Sequence, residues 1–387
     1  MLRGSTAIWE AFRLLDLPRG SEVLFPTYHC GLELDVLAKA GLRPVFYGVT
    51  DSLGIDIDDL ESRITASTQA VYVIHYFGFP HDLPSLRALC DRRGLRLIED
   101  GAQAFASAMP RGGDAPRAVG TFGDVGIFSL HKSLPVPDGG ALVLNDPDLP
   151  PPRLARRPGW FETLQHAKLI LARDLYKVGA IRGVLRWLLL GVLSPCVRRA
   201  KELLRGSPER DGRSQSPGRG GAQAGTPRDA EWVFPDEWKG VGISPLARFL
   251  LDRLDHGRVA ERRRAAYKRL LEASRNWRKI VPVLPRLPEG VCPCYFPVFA
   301  GADARPFIDY CRGRRVRVDP YWPDTHPLVP TDDFPQTLEL KRRIAVLPVH
   351  HELTAKEVAA LISVVDAWER LEDDTDKRCE QAEAMAL

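Results

Sequence analysis

The sequence predicts an α/β fold, a mostly parallel sheet flanked by helices and followed by a smaller C-terminal α/β unit. Three observations carry this: helical and strand periodicities alternate over the first 150 residues, the strand-like runs are short and apolar throughout, and a chain of 387 residues can bury two cores. Helical spacing is seen at 7–15, 32–40 and 83–93. Apolar strand runs fall at 22–25, 44–47, 70–75, 96–99, 125–129 and 141–144. Such alternation implies βαβ units, whose ligands sit beyond the carboxyl ends of the parallel strands.

The organisation read from the sequence is a large unit at 1–150, an insertion at 151–238, a bridging helix with a small unit at 239–372, and a polar tail at 373–387. Within the insertion, 162–204 is apolar and helix-rich. The stretch 206–229 is rich in Gly, Ser, Pro, Arg and Gln and is expected to be disordered. The apolar run at 187–193 is too short for a membrane span and is bracketed by arginines, so 160–205 is expected to pack on the protein, a partner or a membrane surface. One charged helix over 245–273 is predicted to bridge the two units, with Leu246, Phe249, Leu250, Leu254 and Val259 on its buried face. Short strands at 295–299 and 316–318 and helices at 305–312 and 354–371 follow, the last opened by a capping box of Thr354 and Glu357.

Composition excludes several classes. A net charge of +4 is small for this length, and the arginines are not interleaved with aromatics, which disfavours nucleic-acid binding. Seven cysteines form no disulfide framework and fit a reducing, cytoplasmic setting, and Cys292-Pro293-Cys294 has no second pair to complete a zinc site. No signal peptide precedes the first helix.

The chemistry centres on Lys132, in a Gly/Pro-bounded turn that runs from Phe128 to Gly139-Gly140. Desolvation in such a turn is expected to lower the ammonium pKa, so that the free amine can attack a carbonyl. Asp100 ends an apolar strand, where its carboxylate can keep a pyridinium nitrogen protonated. Together they suggest pyridoxal 5′-phosphate (PLP). Gly4-Ser5-Thr6-Ala7 opens a helix, whose N-terminus suits a phosphate.

The segments 3–7, 20–28, 75–78, 99–104, 120–129 and 132–140, and later Arg262-Arg263-Arg264, Tyr267 and 347–354, resemble in content and order the DegT/StrS-type PLP-dependent aminotransferases. These enzymes have the fold type I architecture and act mainly on nucleotide-linked keto sugars. The resemblance implies that Ser5, Thr6 and Ser129 hold the cofactor phosphate, that Tyr28 (or the adjacent His29) stacks on its ring, and that Gln103 contacts the ring-face oxygen. It further implies that Asp100 and Lys132 are catalytic, that the amino donor is glutamate, and that the protein is a homodimer.

Three features depart from the family pattern. The Ser129 to Lys132 interval is shorter, Gly240-Val241-Gly242 stands where the family has Asn-x-Arg, and the phosphate motif comes at residue 4, where relatives carry several dozen residues before it. Two alternatives are a sugar dehydratase of the same family, in which His131 would replace the lysine, and a non-catalytic fold type I binding or regulatory protein. The alignment of Lys132 with Gly139-Gly140 favours the aminotransferase over the dehydratase.

Overall fold

Val23, Leu24 and Phe25 in succession have no solvent exposure, which a strand achieves only when both faces of its sheet are covered. The computed structural model describes residues 1–111, 114–159, 162–163 and 233–371. In it, β1 (Glu22–Pro26), β2 (Arg43–Tyr47), β3 (Thr68–Ile74), β4 (Arg96–Asp100), β7 (Val125–Ser129) and β8 (Gly140–Leu144) form one sheet in the order β2-β1-β3-β4-β7-β8. All neighbours are parallel except β7 and β8. Strands β5 (Ala108–Arg111) and β6 (Asp114–Ala118) form a separate ribbon.

One face of the sheet is covered by α1 (Gly4–Leu15) and α2 (Leu32–Lys39), whose Ala7, Phe12, Leu34 and Leu37 join Phe25, Tyr72 and Ile98 in one core. The other face meets α4 (Leu83–Arg93), with Leu83, Leu86 and Leu89 against Leu24, Val71 and Leu97. Helix α3 (Ile57–Ser62) lies between β2 and β3 in the chain. Helix α4 is framed by local signals, since Asp82 accepts the Ser85 N–H at 3.3 Å and Gly94 closes it at φ 67°.

The expected bridging helix is two helices, α6 (Pro245–Leu251) and α7 (His256–Ala273). Asp255 caps the second by accepting the Arg258 N–H at 3.0 Å, which restarts the helix after a four-residue break. The expected face holds in part: Leu250, Leu254 and Val259 pack with Ala247 in one core, whereas Leu246 and Phe249 are 37% and 50% exposed.

Beyond it, β9 (Ile280–Pro282), β10 (Tyr295–Ala300), β11 (Asp319–Pro320) and β12 (Ile344–Pro348) form an antiparallel sheet in the order β11-β12-β10-β9. The strand expected at 316–318 is thus reduced to two residues, one step later. Helices α8 (Arg305–Gly313), α9 (Pro335–Arg343) and α10 (Ala355–Glu369) accompany this sheet, and Thr354 and Glu357 form the predicted capping box. Most of the insertion, including the apolar run and the 206–229 stretch, and the tail from 372 lie outside the described residues. Among the described residues no helix is long and apolar enough to cross a membrane.

Candidate active site

Strand β7 delivers Ser129, and a single turn, α5 (Leu130–Ser133), then carries Lys132. The turn is stitched in place by backbone bonds: Leu130 N–H donates to Gly139 O at 2.9 Å, and Gly139 N–H donates to Leu2 O at 2.7 Å. A Cβ on Gly140 would lie 2.0 Å from the Arg3 carbonyl oxygen, so no other residue fits where β8 passes the start of α1. The glycine pair after the lysine is therefore a packing requirement, and it seats the lysine turn against the N-terminal end of α1.

At that end the predicted phosphate residues come together. A Cβ on Gly4 would lie 2.9 Å from Ser129 Cβ and 3.1 Å from Ser129 Oγ, so Ser129 stands directly against the first turn of α1. Ser5 and Thr6 are inside that turn and do not cap it. Their hydroxyls are buried and have no hydrogen-bond partner. Two orphaned buried hydroxyls, a third on Ser129 and the positive end of a 12-residue helix form a cradle suited to an anionic group with several acceptor oxygens. The donor set fits a phosphate.

Asp100 and Glu99 end β4 and, by strand alternation, point to opposite sides. Glu99 is a structural anchor with no solvent exposure. It accepts the N–H groups of Gly120, Phe122 and Gly123 at 2.8, 2.6 and 2.5 Å, and its Oε2 lies 3.3 Å from His75 Nε2. Burial alone would raise its carboxyl, but His75 and the Gly123 and Gly120 amides hold it below the ordinary value.

Asp100 faces the lysine side. Its Oδ2 accepts from Tyr72 Oη at 2.6 Å and its Oδ1 from Ala102 N–H at 2.8 Å. Burial, reinforced by Glu33, pushes its carboxyl up against the opposing pull of Lys132, Tyr72 and Ala102. A desolvated carboxylate of this kind gains from a cation placed beside it, as a protonated ring nitrogen would be.

The expectation that the Lys132 ammonium lies below its ordinary value is corrected. Burial pulls it down, but the groups gathered around it, Cys30, Asp100, Glu33 and Cys294, outweigh burial, and the ammonium lies above its ordinary value. Sequence reasoning weighed the cost of desolvation and had no access to the acids that the fold gathers around the amine.

Tyr28 is fully buried, donates its hydroxyl to Tyr321 O at 3.1 Å, and tilts against Tyr76 and Trp322 at 5.6 and 5.4 Å. The neighbouring His29 accepts the Gly31 N–H at 2.9 Å on Nδ1, and burial, with Lys341 and His326 adding to it, holds the imidazole well below its ordinary value. Gln103 is buried, and its Oε1 accepts the Phe77 N–H at 2.8 Å, so its oxygen secures the 76–78 turn. His131 Nδ1 lies 3.3 Å from Ser129 Oγ.

Four residues here were given no role from the sequence, although Arg263 lies in the Arg262-Arg263-Arg264 segment that carries the resemblance. Trp322 places its ring centre 6.0 Å from Lys132 Nζ while held at φ 51°, an uncommon conformation for a bulky residue. Glu33 is buried and accepts from Cys30 Sγ at 2.5 Å. Lys341 on α9 donates to the carbonyls of His29, Trp322 and Asp324 at 3.0, 3.0 and 2.8 Å, tying the loop of Tyr28 to the segment of Trp322. Burial lowers its ammonium to about 8. Arg263, buried on α7, donates to Ser133 O at 2.8 Å and Cys294 O at 3.0 Å. Each is joined to the lysine only through long-range folding, and apart from Arg263 no local pattern marks them.

Residues 2–153 match the DegT/DnrJ/EryC1/StrS aminotransferase family, which establishes the resemblance for the part of the chain holding Ser5, Asp100 and Lys132. Over 145 residues the chain is 36% identical to GDP-perosamine synthase of Vibrio cholerae, covering 37% of this chain and 38% of that protein. Over 168 residues it is 35% identical to UDP-N-acetyl-3-dehydro-alpha-D-glucosamine 3-aminotranferase of Acidithiobacillus ferrooxidans, covering 42% and 44%. The matches thus span about two fifths of the length of these curated relatives. The fold extends further: the solved structure of DesV from S. venezuelae superposes with a TM-score of 0.63 at 20% identity, covering 96% of this chain and 84% of that one.

Proposed function

We propose that this chain is a PLP-dependent aminotransferase that transfers an amino group, with glutamate as donor, to a keto sugar carried by a nucleotide. The observation that carries the reading is the meeting of Lys132 and Asp100 beside a cradle whose Ser5 and Thr6 hydroxyls are buried without partners. The relatives named above, which act on sugars, supply the substrate class.

In this reading Ser5, Thr6 and Ser129, with the first N–H groups of α1, would hold the phosphate, Asp100 would face the ring nitrogen, and Lys132 would present its amine to the aldehyde carbon. Tyr28 and Trp322 wall the ring. When bound, PLP delocalises the electron pair left as a proton leaves the carbon that bears the amino nitrogen. Lys132 Nζ, freed by the incoming donor, takes that proton as base and returns it as acid. A cation beside Asp100 cancels part of the negative field that raises the Lys132 ammonium, which moves the amine toward the neutral form a base requires. Arg263 fixes the Ser133 carbonyl and so the turn on which Lys132 rides.

The test is borohydride reduction of protein incubated with PLP, followed by peptide mapping. The pyridoxyl adduct is expected on Lys132, and an adduct on another lysine, or none in protein that holds PLP, refutes the assignment.

A further inference from the structure

The aromatic wall beside Lys132 is built from two distant stretches of chain, and one helix holds both. On α9, Thr337 and Lys341 lie four residues apart and so share a face, and both are buried. Thr337 Oγ1 and Thr27 Oγ1 are 2.6 Å apart, which fixes the loop of Tyr28. Lys341 Nζ donates to His29 O in that loop at 3.0 Å, and to Trp322 O and Asp324 O in the other stretch at 3.0 and 2.8 Å. Tyr28 Oη, which donates to Tyr321 O at 3.1 Å, adds a second tie.

Three carbonyl oxygens around one nitrogen require three N–H groups, and only the ammonium has three. A neutral amine would leave one carbonyl without its donor and set a lone pair against an oxygen. The tie is therefore complete only while Lys341 carries its proton. Trp322 meanwhile sits at φ 51°, a conformation that a bulky residue keeps only under constraint. Its ring lies 5.4 Å from that of Tyr28 and 4.7 Å from that of Tyr321, and its centre is 6.0 Å from Lys132 Nζ.

Titratable groups face Lys341 from each stretch. Burial lowers its ammonium to about 8 against the groups gathered around it, Glu33, Cys30 and Asp324. His29 stands in the same loop with His326 beyond it, where Asp35 also acts, and burial holds both imidazoles below their ordinary value. Burial raises the Cys30 thiol and the Tyr28 hydroxyl. On α9 itself Arg342 and Arg343 turn to Asp303 and Glu339.

We propose that Lys341 is a positioning residue of this site: as the ammonium it holds Trp322 against Tyr28 beside Lys132, and loss of its proton lets the Trp322 segment part from that wall. The tie stands on the geometry alone, whereas the part it plays toward a cofactor ring rests on the aminotransferase reading. The site then closes on the neutral side of the transition and loosens on the alkaline side.

The experiment follows Trp322 in the full chain without cofactor. Its emission, taken as the difference between the natural chain and Trp322→Phe, is recorded with acrylamide as quencher from pH 6.5 to pH 9.5 at fixed ionic strength. Quenching is expected to rise severalfold through one transition at about 8, well below the value of about 10.4 of an ordinary lysine. Lys341→Met, of similar length but with no N–H to give, is expected to show the alkaline level of quenching throughout. Its affinity for PLP should be roughly twofold to tenfold weaker, the worth of one aromatic contact. Circular dichroism verifies the fold; should Lys341→Met not fold, Lys341→Arg takes its place, charged at every pH and expected to keep Trp322 shielded across the range. A flat profile in the natural chain, a transition that survives in either variant, or unchanged PLP affinity in Lys341→Met overturns the proposal. Borohydride labelling of Lys132 is independent of Trp322 quenching, so a flat profile with labelling intact removes the positioning role and leaves the aminotransferase reading standing.

Discussion

Glu99→Gln is the substitution whose consequence the structure defines most fully. Oε1 accepts from Phe122 and Gly123, and Oε2 accepts from Gly120 and lies near His75. An amide retains one oxygen. Placed at the Oε1 position, it keeps two bonds and sets its NH2 against the Gly120 N–H, leaving a buried donor unpaired at a cost of about 1–3 kcal/mol. The two surviving bonds lose their charge assistance, which adds about 1 kcal/mol each, for a total of roughly 3–5 kcal/mol. The turn concerned leads into β7 and so into Ser129 and Lys132. Urea unfolding at pH 7, followed by far-UV circular dichroism, measures this. With a slope of about 3 kcal/mol/M the midpoint is expected to fall by roughly 1–1.7 M. The pH dependence gives an independent sign. Because the folded carboxyl is held below its ordinary value, its contribution is present above the unfolded value of about 4.3 and is lost as pH falls through the folded one. The gap between variant and natural protein should therefore be full near neutrality and narrow in acid. A midpoint shift under about 0.3 M at pH 7, or a gap that widens in acid, would refute the reasoning.

Asp100→Asn, one residue away on the opposite face, is expected to leave the urea midpoint nearly unchanged while turnover falls by about 10²–10³-fold; unchanged turnover rules out its electrostatic role. Ser5→Ala/Thr6→Ala removes two buried hydroxyls that lack partners, so the melting temperature without PLP should hold or rise while PLP affinity, read by fluorescence titration, drops at least about tenfold. A fall in cofactor-free stability with unchanged affinity would show that the hydroxyls serve the core. The proposed homodimer, for which exposed Leu246 and Phe249 on α6 offer apolar surface, is checked by light scattering; an active, PLP-loaded monomer at micromolar concentration contradicts it.

What the sequence determined by itself is what short-range physics controls. Strand 125–129 and helix 83–93 are found with the predicted bounds, and the Thr354 capping box forms, because apolar periodicity and caps act within a few residues. The motif order from Gly4 to Gly140 was likewise readable, and the fold brings Ser5, Thr6 and Ser129 to one end of α1 as that order implied. Other features were decided by the tertiary structure. Strand alternation separates Glu99 from Asp100, but only the placement of the 120–123 turn and of Lys132 settles which acid anchors a loop and which faces the amine. The chain splits the expected long helix into α6 and α7, and Leu250, Leu254 and Val259 meet in one core while Leu246 and Phe249 are left at the surface, a partition that depends on what packs against each helix. The direction of the Lys132 shift reversed because it is a sum over Cys30, Asp100, Glu33 and Cys294, drawn from three separate segments. Burial of a single turn can be guessed from local sequence; the field inside it depends on residues up to 162 positions away, which become neighbours only once the sheet and the C-terminal helices have packed.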